Sequence, residues 1–345
     1  MRRLAEVGPP QDRELGAVSV VVALLMVALL GCAAIAVDAG ILYAERTQLH
    51  NGADAAALAV AQKCALNIND TDCATNSVLA RVLANGNAGD RLSNVKSLLL
   101  DKTARTVTVT AGAQEADTVP NSVSLFFART LGFSSVEVNA SSTAQWGSPS
   151  AGTTAFPLTF SICQVQGHVD GSLQLLQNHG SGANPGCNYG PSGAAVEGGF
   201  GWLPNDPGIC GGLINLAVSE GGSDPGNSSP GACDATLQSW AKEISLGRDV
   251  VVLLPVFNKV TGTGAGSVYG LTSFAAYKVA GWKFSGNNSL PTAFHNTSPD
   301  VPSAVACDNN CRGIIGGFIK YVSLASGFSL GPVDPNGATV VRLAQ

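Results

Sequence analysis

Nine cysteines and four histidines in 345 residues are the side chains of this sequence best suited to chemistry, and their spacing favours disulfides over a metal. A zinc site needs two close ligand pairs. Cys307-x-x-x-Cys311 has no matching second pair, and His168, His179 and His295 are scattered through glycine-rich stretches. No metal and no cofactor is therefore expected. With Cys32 set aside inside an apolar run, the cysteines number eight: Cys64, Cys73, Cys163, Cys187, Cys210, Cys233, Cys307 and Cys311. An even set of this kind reads as a disulfide framework in an oxidising compartment. Chain order suggests 64–73, 163–187, 210–233 and 307–311, although the last six cysteines alone allow fifteen pairings.

The catalytic patterns in the chain are incomplete. Gly262-Thr263-Gly264-Ala265-Gly266 follows an apolar strand, as a phosphate loop would, but no Lys-Ser/Thr follows it. Gly180-Ser181-Gly182 lacks the Gly-x-Ser-x-Gly frame of a nucleophile elbow. Trp202, Trp240 and Trp282 could line a groove in which Asp170, Glu197, Asp206 or Glu220 act as an acid/base pair. That alternative describes an anchored extracytoplasmic hydrolase of envelope polymers. Tryptophans equally fill cores, and these carboxylates share no motif spacing, so an enzyme is not expected.

The elements that would carry these residues begin with a membrane anchor. The chain is 45% hydrophobic and 12% charged, with 19 basic and 24 acidic residues and a net charge of −5. That balance argues against nucleic acid as a partner. No charged residue lies between Glu14 and Asp38. The intervening residues 15–37 would form a helix of roughly 34 Å, enough to cross a bilayer core. Arg2, Arg3 and Arg13 precede it, whereas Arg46 is the only Lys or Arg from Asp38 to Ala57. The asymmetry predicts a cytoplasmic arm (1–14), a single span (15–37) and an extracytoplasmic bulk in the cell membrane's outer compartment. Three other N-terminal readings compete. The run is longer than a signal-peptide core. Leu29-Leu30-Gly31-Cys32 resembles a lipoprotein processing site, which would make the protein a lipidated adhesin, but the apolar residues continue through Val37. A type IV prepilin would carry a glutamate where Val21 stands.

Residues 38–66 are rich in helix formers and lack proline, so a stalk helix can continue from the span to Leu66. Leu42, Leu49, Ala53, Ala56, Ala57 and Val60 form a stripe at three- and four-residue spacing. Its small residues would admit another helix closely, which allows either a helix-mediated oligomer or packing on the protein's own domain.

At this point the sequence resembles a known family. Arg13-x-x-Gly16-Ala17, the apolar span, Val37-Asp38-x-Gly40, and Gln48-Leu49-x-Asn51-x-x-Asp54-Ala55-Ala56-Ala57-Leu58-Ala59 together resemble the N-terminal segment of the Tad (tight adherence, Flp) pilus-assembly family, specifically its G-like members. The resemblance covers about residues 13–64. It implies a bitopic envelope protein that works by protein–protein interaction in pilus assembly, anchoring or surface adherence, with pilus-assembly proteins or pilin as partners. Gly16, Asp38, Gly40, Gln48, Leu49, Asn51, Asp54, Ala55 and Ala56 are its motif positions. Some G-like members carry a metal site with an Asp-x-Ser-x-Ser motif; Asp170-Gly171-Ser172-Leu173-Gln174 lacks the second serine, so that site is not carried over. The phrases 196–203, 226–228 and 276–284 also look like the cysteine-containing outer region of Tad-related proteins.

Beyond the stalk, residues 67–146 read as a small αββαβ module. In it NSVSLFFARTLG is expected to be an amphipathic helix with Leu125, Phe126 and Phe127 on its core side. Residues 147–153 read as a Gly/Ser/Pro linker, and composition shifts there: nine of the 41 glycines precede Gly147. The remainder (154–345) reads as a disulfide-braced, predominantly β domain, with FPLTFSI, VVVLLPVF, SFAAYKVAGWKF and GIIGGFIKYVSL as strands. The expected class is α+β.

Overall fold

A computed structural model describes residues 15–115, 119–177, 200–218, 220–222, 229–262, 267–322 and 327–344. The class is α+β, with one long apolar N-terminal helix followed mostly by strands. Cys187 and the phrase 226–228 lie outside the described residues, as do residues 196–199 and the N-terminal arm 1–14.

Helix α1 (Leu15–Leu66) runs unbroken for 52 residues. Its first half is long and apolar enough to cross a membrane and buries nothing. The second half enters the core of the first of two compact units, which comprises residues up to Val60, Ala74–Leu100 and Val107–Thr143. That unit adds α2 (Val78–Asn87), capped by Ser77, whose hydroxyl accepts from the Ala80 N–H at 3.1 Å. It also holds β1 (Ser93–Asp101), β2 (Thr106–Ala113), β3 (Ser122–Ser124), β4 (Ser135–Glu137) and the start of β5 (Asn139–Thr153). The order β1-β2-β5 is reinforced by hydroxyl pairs across β2 and β5, Thr108–Thr143 at 2.8 Å and Thr110–Ser141 at 2.7 Å. Leu49 and Ala53 of α1 pack with Ala111, Ala113, Val123 and Ala140 of the strands and with Val138 between β4 and β5.

Two expectations are corrected here. The segment NSVSLFFARTLG is not an amphipathic helix. Val123 instead pairs across a short hairpin with Val136, and only a 3-10 turn, Ala128–Leu131, forms before Gly132 turns left-handed at φ +92°. Leu125 is buried, but Phe126 and Phe127 are exposed. Residues 147–153 are strand, the second half of β5, because β9, β16 and β17 supply backbone partners that composition alone does not reveal.

The second unit comprises Ala61–Cys73, Asp101–Thr106 and the chain from Ala144. In chain order its elements are β6 (Leu158–Ser161), α3 (Ile162–Val165), β7 (Gln174–Gln177), β8 (Phe200–Trp202), β9 (Leu213–Asn215), β10 (Glu220–Gly222), α4 (Asp234–Ser245), β11 (Val250–Thr261), β12 (Val268–Lys283), β13 (Ala293–Phe294), β14 (Gly313–Ile319), β15 (Tyr321–Val322), β16 (Ser329–Gly331) and β17 (Thr339–Leu343). An eight-stranded sheet runs β7-β14-β12-β11-β6-β8, with β10 and β13 also on β12. The four expected strands are its centre.

Both faces of that sheet are covered, which explains the unbroken apolar run of β11. Val250, Val252, Leu254 and Val256 enter one cluster with Ala275, Tyr277 and Val279, onto which α4 lays Leu237, Trp240 and Ala241. Val251 and Leu253 enter the opposite cluster with Phe274 and Ala276. The glycines of β14 follow from this crowding: a Cβ at Gly316 would run into the Lys278 carbonyl and the Tyr277 ring.

Cys64–Cys73, Cys210–Cys233 and Cys307–Cys311 are bonded, with Cα separations of 4.8, 4.6 and 5.2 Å. Cys163 is disulfide-bonded as well. Cys32 is free and exposed on the apolar half of α1.

Candidate functional site

The nine motif positions all lie on α1, and helical spacing sorts them into an inward and an outward set. Asp38, the first residue after the apolar run, is 7% exposed. Its carboxylate accepts from three consecutive backbone N–H groups: Phe126 to Oδ1 at 2.9 Å, Ala128 to Oδ2 at 2.7 Å, and Phe127 to both oxygens at 3.2 Å. These amides open the 3-10 turn and have no acceptor within it, so a carboxylate there acts as a cap from another part of the chain. Burial pushes the Asp38 pKa up, but the donors at Ala128, Phe127 and Phe126 outweigh it and hold the group below the ordinary carboxylate value.

Further along the same helix, Gln48 Oε1 accepts from the N–H groups of Gly89 at 2.6 Å and Asp90 at 3.3 Å, tying down the chain that leaves α2. Leu49 and Ala56 are fully buried. Beside them Gly52 lets α1 approach α2 closely, since a Cβ there would stand 2.6 Å from the Ala84 carbonyl oxygen. Asp54 pairs with His50 at 3.2 Å, one turn earlier, and its other oxygen is buried without a partner. Gly40 and Asn51 face outward and Ala55 is half-buried. Gly16 lies in the first turns of the helix.

The stripe Leu49, Ala53, Ala56, Ala57 and Val60 is wholly buried in the chain's own fold. Of the two readings open to this face, packing on the protein's own domain is the one observed: the stripe is already occupied, and exposed stalk residues such as Gly40, Ala44, Thr47 and Asn51 lie on the other side.

Sequence reasoning passed over Glu45. It is 8% exposed, and its Oε1 is buried with no hydrogen-bond partner. Burial first, then the charges of Asp90 and Glu115, push its pKa up to about 7. The signal was present in the spacing, because 38, 42, 45, 49, 53, 56 and 60 continue one stripe at three- and four-residue steps.

In the second unit the proposed groove is not formed by the residues invoked for it. Trp202, Trp240 and Trp282 are 3%, 7% and 0% exposed and pack around Phe156, Phe284 and one another in the core. Asp170 and Asp206 accept from nearby backbone amides, Ser172 at 2.9 Å and Leu213 at 2.9 Å. Glu197 lies outside the described residues. Among the described residues, no three His, Cys, Asp or Glu side chains are placed to hold a metal. His295 stacks on Phe294, with ring centroids 3.8 Å apart.

The chemistry concentrated on α1 is thus that of a scaffold. Two polar side chains, Asp38 and Gln48, fix distant backbone, while a small-residue stripe joins helix to sheet. No curated protein and no solved structure matches the chain. Residues 16–63, the stretch that carries Asp38, Gln48 and the buried stripe, match the model of the Tad family, Flp pilus-assembly TadE/G-like.

Proposed function

We propose that this is a single-pass envelope protein of the Flp pilus-assembly machinery that acts by binding other proteins, with its N-terminus in the cytoplasm and the bulk outside. The observation that carries the reading is a coincidence of position. The Tad match at 16–63 covers both the apolar half of α1 and the stalk emerging from it. The disulfides from the end of the stalk onward, Cys64–Cys73, Cys210–Cys233 and Cys307–Cys311, suit an oxidising compartment. The basic arm with Arg2, Arg3 and Arg13 suits the opposite side. Since the inward stripe is filled, partner subunits or pilin would meet the exposed side of the stalk, where motif residues Gly40 and Asn51 lie with Ala44 and Thr47.

A photo-crosslinking residue at Asn51, introduced in cells that assemble the pilus, tests this. Crosslinks to a pilus-assembly protein or pilin are expected, together with reduced piliation when the gene is deleted. Absence of such crosslinks with normal piliation in the deletion strain overturns it.

A further inference from the structure

We infer that the loop 126–133 is a second membrane contact, an apolar foot that rests in the outer interface of the bilayer crossed by α1. The inference rests on the reading of residues 15–37 as a span.

The loop displays apolar side chains with nothing of the described chain covering them. Phe126 is 63% exposed, Leu131 79% and Phe133 67%, and Phe127 and Val136 add 39% each. Phe126 and Phe127 meet edge to face, with centroids 4.8 Å apart, so the rings form one patch. Scattered exposed hydrophobics need no explanation, but several large ones on one short loop mark a contact surface. The loop is held in shape: the Leu125 N–H donates to the Ser134 carbonyl at 3.0 Å and the Phe133 N–H to the Ala128 carbonyl at 3.1 Å. Leu125 anchors its base in the core.

Its position singles out lipid as the occupant. The amides of Phe126, Phe127 and Ala128 are bonded directly to Asp38, which ends the apolar run. Helical side chains tilt toward the N-terminus, so the Asp38 carboxylate reaches back over the last turn of the span and brings the loop with it. The neighbouring lipid-facing side chains Ile35 and Val37 are 72% and 46% exposed. Phe and Leu are the residues that segments lying in the interface bury at that depth. The loop's only charge, the exposed Arg129, suits phosphate headgroups, as on helices that lie in the interface. A buried carboxylate beside lipid would be costly alone; three N–H donors satisfy Asp38 where water is scarce. Two contacts, span and foot, would set the rotation of the stalk about its axis and so the direction in which Gly40 and Asn51 face.

The test uses the full chain reconstituted into vesicles of phosphatidylcholine and phosphatidylglycerol, with acyl chains brominated near the headgroup or near the bilayer centre. Leu131→Trp and Phe133→Trp report the foot, and Leu24→Trp reports the span. All three sites are exposed, so tryptophan disturbs no packing. The wild-type signal from the four native tryptophans is subtracted. Leu131→Trp and Phe133→Trp are expected to lose emission to the shallow bromines, and Leu24→Trp to the deep ones. Quenching at Leu24→Trp without quenching at either loop position overturns the inference and leaves the anchor standing, whether the loop then meets water or protein. No quenching at Leu24→Trp removes the anchor reading, and the foot falls with it.

Discussion

Asp38 and Glu45 sit seven positions apart on one face of α1 and meet opposite environments. Asp38 is surrounded by backbone donors, whereas Glu45 faces Asp90 and Glu115 with one oxygen unpartnered. A carboxyl whose folded pKa is raised from 4.5 to about 7 holds its proton in the native state after the unfolded chain has lost it. Its contribution to stability is therefore fully present below the unfolded pKa and is lost as pH rises through the folded one. Glu45→Gln keeps the shape without the charge. In the detergent-solubilised full chain, the variant's melting temperature is expected to exceed the wild type's at pH 8, with the gap closing toward pH 5. A gap that stays constant with pH would refute this. Asp38 shifts in the opposite direction, so comparing variant with wild type isolates the Glu45 part. That Asp38 belongs to the Tad-like pattern was legible from its place after the apolar run. The burial of Glu45 was legible in the same way, from its place on the stripe; its raised pKa was not, because the charges facing it come from Asp90 and Glu115, far along the chain.

At the scale of elements, α1 is one continuous helix with two environments, and glycine shows the difference. A Cβ at Gly40 would meet open space, whereas at Gly52 the Ala84 carbonyl oxygen would be 2.6 Å away. Replacing glycine by alanine in a helix gains about 1 kcal/mol of intrinsic propensity. Gly40→Ala is expected to raise stability by about that amount. Gly52→Ala has to separate α1 from α2, and overpacking costs about 1–3 kcal/mol, enough to cancel or reverse the gain. Urea unfolding of the two variants should therefore rank Gly40→Ala above Gly52→Ala, and the reverse order would contradict the close approach. Elements with a strong local period were readable in advance, as were apolar runs long enough for a buried strand. The loop 121–133 was misread because Leu125, Phe126 and Phe127 fit a helical face. Pairing of Ser122–Ser124 with Ser135–Glu137 and the left-handed turn at Gly132 decided otherwise. The Gly147–Thr153 stretch has the composition of a linker and becomes strand because three other strands lie against it.

For the molecule as a whole, covalent and apolar forces divide the work in the second unit. The sheet β14-β12-β11-β6 has both faces buried, while shorter peripheral segments are tied by cystines. Cys210–Cys233 closes a separation of 23 residues, from the turn before β9 to the start of α4. Chain-entropy arguments give a bond of that span about 3 kcal/mol. The double variant Cys210→Ser/Cys233→Ser is expected to lose about that much in denaturant unfolding, whereas Cys32→Ser, which breaks no bond, should match the wild type. An unchanged midpoint for the double variant would contradict the bracing role.

The sequence by itself determined the anchor-length apolar run, the α+β class, the central strands and the Tad-like segment, and chain order suggested the three cystine pairings that the structure then established. These depend on neighbours along the chain: a run of apolar residues, a period, or a short loop that brings two cysteines within reach. Only the tertiary structure decided which side of the stalk is free and where the Phe126–Phe133 loop is exposed. Burial and capping depend on what lies across from a side chain, and for Asp38 those amides lie 88 to 90 residues away.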